Sequence, residues 1–180
     1  NHGILVVTGG PGTGKTTTLK AIVHAMESIG LKVVLTAPTG RAAKRMEEAT
    51  SREAKTIHRL LQFEYQPEEG LDPYSREIEE EVDADVIIVD EASMVDLILF
   101  NDLLKGIKKE ARLILLGDVD QLPSVGAGNV LQDIIQSEVV PVINLNEVFR
   151  QAETSMIVQN AHRINRANTH LSTAGTGTSI

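Results

Sequence analysis

The pattern of apolar and polar residues divides the chain into alternating strands and helices. Short apolar runs of strand length recur five times, at residues 4–8, 32–37, 86–90, 112–117 and 139–145. Because these runs are nearly continuously apolar, they are typical of strands buried on both faces of a parallel sheet. Pro141 cannot donate a ladder hydrogen bond, so the last strand is predicted to lie at a sheet edge or to begin after this residue.

Helical periodicity separates these runs. Within residues 15–29 the apolar residues recur at i, i+3, i+4 and i+7, and Gly30 follows as a stop signal, so this segment is predicted to be an amphipathic helix. Further helices are predicted at residues 41–49, 55–62, 96–109, 129–136 and 155–166. Alternation of strands and helices predicts an α/β fold, with helices on both faces of a mainly parallel sheet of five or more strands.

Two segments depart from this alternation. Residues 64–85 carry ten acidic groups against one basic group, together with Pro67, Gly70 and Pro73, and are predicted to form a long surface loop with one short helix. Residues 169–180 are rich in Gly, Ser and Thr without apolar periodicity and are predicted to be disordered. Residues 1–168 are therefore predicted to form one domain. The first strand begins so near the start that we expect a fragment of a longer protein.

Composition excludes several classes of protein. Hydrophobic residues make up 42% and charged residues 23% of the 180-residue chain, which is typical of a folded globular domain. The absence of cysteine excludes disulfides and thiolate metal sites. No apolar run approaches 18 residues, so no membrane partner is expected and a cytoplasmic location is predicted.

The charge distribution favours a local rather than a global nucleic-acid surface. A net charge of −8 argues against a chain that binds phosphates over its whole surface. Residues 41–60 nevertheless carry six basic groups against three acidic ones. This segment is a candidate basic patch, although a solvated helical face explains the charges equally well.

A glycine-rich segment follows the first predicted strand directly. Residues 9–16 read GGPGTGKT, which matches the P-loop pattern G-x-x-x-x-G-K-[ST], and a helix follows. Backbone amides in such a loop surround phosphates, the lysine reaches the β and γ phosphates, and the hydroxyl of the next residue binds Mg²⁺. The predicted nucleotide-binding residues are Gly10, Pro11, Gly12, Thr13, Gly14, Lys15, Thr16 and Thr17.

A second candidate follows the third predicted strand, which ends in Asp90-Glu91. An apolar strand ending in an acid is the Walker B arrangement, in which Asp90 would hold Mg²⁺ together with Thr16. Glu91 would then be the base that activates the attacking water. Such a run taken alone is often only a helix cap, but its combination with a P-loop favours the catalytic interpretation. The next strand ends in GDVDQLP, at the same predicted edge of the sheet.

Taken in order, these segments resemble the RecD-like helicases of superfamily 1, in the branch that moves 5′→3′ on single-stranded DNA. The resemblance covers about residues 3–166. Segments 8–18, 36–43, 56–61, 90–94, 117–128 and 145–151 resemble motifs I, Ia, Ic, II, III and IV of that family.

The resemblance implies a RecA-like motor lobe that hydrolyses MgATP, of a kind that works in DNA repair or recombination. It implies that Gln121 senses the γ-phosphate and that Arg150 contacts it, completing a catalytic set with Lys15 and Glu91. It further implies that single-stranded DNA is bound by Pro38, Thr39, Arg41, Thr56 and His58. For His58 and Arg41 a surface role without ligand is equally compatible with the residues alone.

Two parts of the family pattern are absent from this sequence: an upstream glutamine that contacts adenine, and the second RecA-like lobe with its arginine finger. Such a finger is worth about 10³ to 10⁵ in rate. The fragment alone is thus expected to bind ATP but to turn it over slowly. Two alternatives stay open: a P-loop ATPase of another kind, such as the helicase-like domain of a conjugative relaxase, and an ATP-switched nucleic-acid-binding module without catalytic turnover.

Overall fold

The computed structural model describes residues 3–62 and 80–145 of the chain. In this part the strands and helices follow in the order β1 (Ile4–Gly9), α1 (Lys15–Ser28), β2 (Val33–Ala37), α2 (Gly40–Thr50), β3 (Ala54–Thr56), α3 (Ile57–Leu60), β4 (Val86–Val89), α4 (Leu97–Gly106), β5 (Arg112–Gly117), α5 (Val130–Gln136) and β6 (Val142–Leu145). A short 3-10 turn, Ala92–Met94, lies between β4 and α4.

The described strands form one parallel sheet in the order β3-β2-β4-β5-β1-β6. Parallel pairing places the carboxyl ends of all six strands at the same edge. Thr8 at the end of β1 is opposite Gly117 at the end of β5, and Thr36 in β2 is opposite Val89 in β4. The loops that leave β1, β4 and β5 are therefore neighbours in space although they are far apart in sequence.

Helices cover both faces of this sheet, as the apolar runs predicted. In β4, Val86 and Ile88 point to the face packed by α1 and α2, where Leu19, Val23 and Met46 are buried. The alternate residues of β4, Ile87 and Val89, point to the opposite face and pack with residues of α3, α4 and α5. All four β4 side chains are fully buried, which explains the absence of polar alternation in the strand.

The five predicted strands are confirmed, and the last behaves as its proline requires. Strand β6 begins directly after Pro141 and lies at the sheet edge, while the carbonyl oxygen of Pro141 accepts a hydrogen bond from the Val6 amide at 3.0 Å. Proline can accept but not donate in a ladder, so both halves of that prediction agree with the structure.

The helix predicted over residues 55–62 was wrong in its first part. Residues Ala54–Thr56 form the edge strand β3 against β2, and the helix is limited to Ile57–Leu60. The Thr36 hydroxyl also donates to the carbonyl oxygen of Lys55 at 2.9 Å, which ties this segment to β2. A three-residue strand is too short to show a period of two, so its pairing partner decided its structure.

The remaining predictions fall partly inside and partly outside the described residues. The helix predicted over 96–109 ends at Gly106, and residues 80–85 of the predicted acidic loop contain an isolated bridge between Val82 and Ile107 rather than a helix. The helix predicted at 155–166, the tail at 169–180 and most of the acidic loop lie outside the described residues. No helix in the described part is both long and apolar enough to cross a membrane.

Candidate nucleotide site

The glycine-rich loop between β1 and α1 has the backbone conformation that its composition predicts. Gly12 and Gly14 have φ angles of 77° and 87°, in the left-handed region that side chains with a Cβ rarely adopt. The Thr13 hydroxyl closes the loop by donating to the carbonyl oxygen of Gly10 at 2.8 Å. Gly14 is the N-cap of α1, so the loop leads directly into the amino end of a helix. This is the positive end of the helix dipole, which favours an anion.

Lys15 is the first residue of α1, and its side chain folds back over this loop. Its ammonium donates to the carbonyl oxygens of Gly9 at 2.5 Å and Gly10 at 3.0 Å. A Cβ on Gly9 would lie 2.5 Å from Oγ1 of Thr13 and 2.9 Å from the carbonyl oxygen of Leu145. Glycine is therefore required at position 9 for the strand to pass between its neighbours and begin the loop.

The two acids after β4 have different environments. Asp90 is partly buried, and its Oδ1 accepts a hydrogen bond from the Glu91 amide at 2.9 Å. Burial raises the pKa of Asp90 above its ordinary value, while the Glu91 amide and the charge of Lys15 oppose that shift. Glu91 itself has a φ angle of 53°, a conformation that is uncommon for a residue with a side chain. The chain thus turns sharply between two carboxylates.

The loop after β5 contributes a third acid and an amide. Asp118 is only 2% exposed, and its Oδ1 accepts from the Asp120 amide at 3.0 Å. The backbone N–H of Gln121 donates to the carbonyl oxygen of Asp118 at 3.2 Å, which turns the loop back towards the sheet edge. Gln121 is exposed there. From the sequence, Asp118 is only one residue of the polar segment GDVDQLP at the sheet edge, because its burial depends on the neighbouring strands.

These elements meet around one cleft of about 200 Å³ at the carboxyl edge of β1, β4 and β5. Its lining contains five of the predicted site residues, together with Asp118, Arg45 and parts of α1 and α2. The predicted residues in the lining are Lys15, Thr16, Asp90, Glu91 and Gln121. The arrangement places a cation, a hydroxyl, acids and an amide within one open space. Arg150 lies outside the described residues, so its predicted role stays a prediction.

Arg45 also lines the cleft, although its sequence context placed it only in the basic segment 41–60. It lies in the second turn of α2, and its guanidinium forms an ion pair with Glu91. The available signal was its helical spacing: Ala42 and Met46 are buried, which places Arg45 at the margin of the buried face. That spacing indicated an edge position but not the acid that faces it.

The predicted DNA-binding residues follow strands β2 and β3, on the β3 side of the same carboxyl edge of the sheet. Ala37 of β2 is opposite Thr56 of β3, so the segments that follow both strands are adjacent. The hydroxyl of Thr39 caps α2 by accepting from the Ala42 amide at 3.2 Å, and Thr56 caps α3 in the same way. Arg41 and His58, each in the first turn after one of these caps, are exposed. Pro38 is the residue that joins β2 to the Thr39 cap.

The donor set in the cleft is suited to a hard divalent cation. Asp90 supplies a carboxylate and Thr16 a hydroxyl, and Mg²⁺ prefers oxygen ligands while keeping several waters or substrate oxygens. Among the described residues no cluster of three or more His, Cys, Asp or Glu has the geometry of a metal site. A cation held by one carboxylate, one hydroxyl and substrate phosphates does not require such a cluster.

Comparison with known proteins supports this architecture. The profile of the AAA domain family matches residues 1–176. The ATP-dependent RecD2 DNA helicase of Deinococcus radiodurans is 45% identical over 161 residues, which cover 89% of this chain and 21% of that protein. The RecBCD enzyme subunit RecD of Mycobacterium tuberculosis is 40% identical over 75% of this chain and 27% of its own length. The chain thus spans about a quarter of these relatives.

Solved structures share the fold. A Bacteroides Pif1 bound to single-stranded DNA aligns with a TM-score of 0.56 at 23% identity, covering 83% of this chain and 39% of that one. The Pif1 helicase of Candida albicans aligns with a TM-score of 0.54 at 26% identity, covering 82% and 37%. These alignments place the parallel sheet and its covering helices in the fold that those proteins use.

Proposed function

Because the chain belongs to the AAA domain family and is related to RecD helicase proteins, a relation that its motifs predicted, we propose that it is the first motor lobe of a DNA helicase. In this proposal the lobe binds and hydrolyses MgATP and couples hydrolysis to movement along single-stranded DNA. The observation that carries it is the convergence of Lys15, Asp90, Glu91 and Gln121 on one cleft at the carboxyl edge of the sheet.

The glycine-rich loop would bind the triphosphate. The left-handed conformation of Gly12 and Gly14 turns the loop around the amino end of α1, where unpaired amides and the helix dipole favour an anion. The ammonium of Lys15 already contacts the loop carbonyls and would exchange those contacts for the β and γ phosphates. Pro11, Thr13 and Thr17 belong to the same phosphate-binding segment.

Thr16 and Asp90 would hold Mg²⁺, with a hydroxyl oxygen from the first and a carboxylate oxygen from the second. When bound, the ion neutralises charge that develops on the β and γ oxygens during transfer. Partial burial of Asp90 disfavours its charged form, and a cation at this position would offset that cost. The buried carboxylate of Asp118 lies in the same lining and would add negative potential to the site.

During hydrolysis Glu91 would accept a proton from the attacking water. Gln121 would contact the γ-phosphate, so that the conformation of its loop depends on whether this phosphate is present. Arg150 is proposed to contact the γ-phosphate from the same lobe. A second RecA-like lobe elsewhere in the parent protein would close on the nucleotide and supply the remaining positive charge.

A cytoplasmic location, expected from the composition, also stays a prediction.

Single-stranded DNA would lie across the segments that follow β2 and β3. Pro38, Thr39 and Thr56 present backbone and hydroxyl groups there, and Arg41 and His58 add cationic or hydrogen-bonding groups that suit a phosphate backbone. The Thr39 and Thr56 hydroxyls already accept from helix amides, so each has a donor proton left for a phosphate oxygen. This part of the proposal rests on the family resemblance and on the adjacency of the two strand ends.

The decisive measurement is ATP hydrolysis by the full parent protein with and without a single-stranded oligonucleotide, with Lys15→Ala alongside. Strong stimulation that is lost in Lys15→Ala supports a motor coupled to DNA. A turnover that DNA leaves unchanged contradicts the helicase proposal and favours an ATPase or switch that responds to another partner.

A further inference from the structure

The cleft continues beyond the glycine-rich loop into a groove between α1 and α2. Its lining includes two side chains of α1, those of Thr16 and Leu19, and three of α2, those of Arg45, Met46 and Ala49. On α2, position 49 is three residues from position 46 and four from position 45, so the three side chains lie on one side of the helix. Of these five residues, the nucleotide proposal uses only Thr16.

The groove has an apolar floor and a cationic rim. Leu19 and Met46 are each 1% exposed and pack in the core cluster between the sheet and these helices. The Arg45 side chain is 58% exposed, so its guanidinium lies at the border between the cleft and solvent. Its ion pair with Glu91 uses only part of the five N–H donors of a guanidinium. A small anion in the groove would therefore meet hydrogen-bond donors at the rim and apolar groups at the floor.

The charges of the lining favour the departure of a cleaved phosphate towards this rim. The described residues of the lining carry two cations, Lys15 and Arg45, and three carboxylates, those of Asp90, Glu91 and Asp118. In the proposed function Lys15 stays with the nucleoside diphosphate, because its ammonium lies over the glycine-rich loop. The cleaved phosphate is an anion, so the carboxylates repel it and the guanidinium of Arg45 attracts it.

The position of the groove keeps it accessible while the nucleotide is enclosed. A second lobe would close over the carboxyl edge of the sheet, where the cleft opens. The groove lies instead on one face of the sheet, because α1 and α2 pack on the side of β4 that carries Val86 and Ile88. After cleavage the diphosphate still occupies the glycine-rich loop at the other end of the cleft. A route between α1 and α2 therefore avoids both the diphosphate and the second lobe.

We propose that inorganic phosphate leaves the site through the groove between α1 and α2, and that Arg45 binds it on the way out. This inference rests on the proposed function, since it assigns an exit route to a product of the same ATP site. The apolar floor does not retain the ion, and a half-exposed guanidinium binds it only weakly, so the phosphate passes on to solvent. Such a route releases phosphate without requiring that the two lobes separate first.

Ala49→Phe tests the route by narrowing the groove. Ala49 is a half-buried residue of the lining, and a phenyl ring at its position would fill space between the two helices. In the full parent protein with saturating single-stranded DNA, chemical quench follows ATP cleavage and a fluorescent phosphate-binding protein follows free phosphate. Cleavage should stay within about twofold of the wild-type rate, while phosphate release should slow by about fivefold, which is a barrier higher by about 1 kcal/mol.

Ala25→Phe is the matched control, since Ala25 is an exposed residue of α1 outside the cleft lining and gains the same side chain. Its release of phosphate should follow cleavage as in the wild-type protein. Thermal unfolding shows whether each variant is folded. Ala49→Val adds less volume at the same position and takes the place of Ala49→Phe where the phenyl ring prevents folding.

A second measurement tests Arg45 without filling the groove: inhibition of steady-state hydrolysis by added inorganic phosphate. Arg45→Ala should raise the inhibition constant for phosphate by about two- to fivefold, the size expected for loss of a half-exposed charged contact. Arg45→Lys keeps the charge and should stay close to the wild-type value. Arg52→Ala is the control and should change nothing, because Arg52 also pairs with a glutamate, Glu27 at 3.0 Å, but outside the cleft lining.

Three results would overturn the inference: phosphate that appears together with cleavage in the folded position-49 variant, an equal delay in Ala25→Phe, or an inhibition constant that Arg45→Ala leaves unchanged. Failure of the proposed function looks different, because it concerns the wild-type protein. A parent protein that cleaves ATP at a rate independent of DNA refutes the motor, and the same time courses without DNA then decide the exit route. A parent protein that cleaves no ATP refutes both.

Discussion

The ammonium of Lys15 lies 2.5 Å from the carbonyl oxygen of Gly9, so the first residue of α1 is bound to the last residue of β1 across the glycine-rich loop. The contact orients the single cation of the loop towards the position where the phosphates of a nucleotide would lie. Its position follows from the tight turn between strand and helix.

Lys15→Ala should reduce ATP turnover of the parent protein by about 10² to 10³, because it removes a fixed charge that stabilises the developing negative charge in the transition state. The measurement is steady-state hydrolysis at saturating single-stranded DNA. Lys20→Ala is the control, since Lys20 is an exposed residue on the same helix and does not line the cleft. Turnover retained in Lys15→Ala contradicts the assignment of the nucleotide site.

Glu91→Gln should separate binding from hydrolysis. The amide is similar in size to the carboxylate but cannot accept the proton of water, so turnover should fall by about 10² to 10⁴. Affinity for a fluorescent ATP analogue, followed by anisotropy, should change by less than about threefold. If affinity and turnover fall together, the substitution has damaged the sharp turn at Glu91 rather than removed a base.

Arg41→Ala should weaken binding of single-stranded DNA and lower the slope of log affinity against log salt by about one, since one phosphate contact is lost. Arg52→Ala, with its cation engaged by Glu27, provides the comparison of equal charge change. The measurement is a titration of a labelled oligonucleotide at several salt concentrations. Equal slopes for Arg41→Ala and the wild-type protein would argue that DNA is bound elsewhere.

Gly126→Ala should destabilise the chain by about 1 to 3 kcal/mol. An added Cβ would lie 2.2 Å from Oδ2 of Asp96, whose Oδ1 caps α4 by accepting from the Leu99 amide at 2.8 Å. The loop after β5 would then have to move away from the start of α4. Urea denaturation gives the free energy of unfolding, and Gly3→Ala is the control because nothing lies within 4 Å of its added Cβ.

The acid dependence of stability should contain a component from Asp83. Hydrogen bonds from Lys108 and Lys32 lower the pKa of Asp83 from 3.8 to about 2. A lowered pKa in the folded state means that the ion pairs stabilise the fold fully above the unfolded pKa and lose that effect as the pH falls from about 4 to about 2. The three groups are exposed, so the effect on Tm is expected to be small.

Asp83→Asn should therefore lower Tm at neutral pH, and the difference from the wild-type protein should shrink below pH 4. Scanning calorimetry across that range measures it, with Glu48→Gln, an exposed acid on α2, as the control. A difference in Tm that stays constant down to pH 2 would exclude the Lys32 and Lys108 pairs as its cause.

Several parts of the fold were predictable from the chain alone because they depend on local patterns. Continuous apolar runs predicted the buried parallel strands, and the spacing of Leu19 and Val23 predicted α1 and its buried face. The GKT segment predicted a glycine-rich loop that leads into a helix, as the structure has it, because few other structures use that composition. Pro141 correctly limited the start of the last strand, because its missing amide is a local property.

The sequence by itself determined which residues are the candidates for the chemistry of a nucleotide site: the lysine, the hydroxyl, the acids and the glutamine. Only the tertiary structure decided how they meet. The strand order brought the ends of β1, β4 and β5 together, buried Asp118, turned Ala54–Thr56 into an edge strand and set Arg45 against Glu91. These features arise from contacts between segments far apart in the chain, and such contacts leave no periodic trace in the segments themselves.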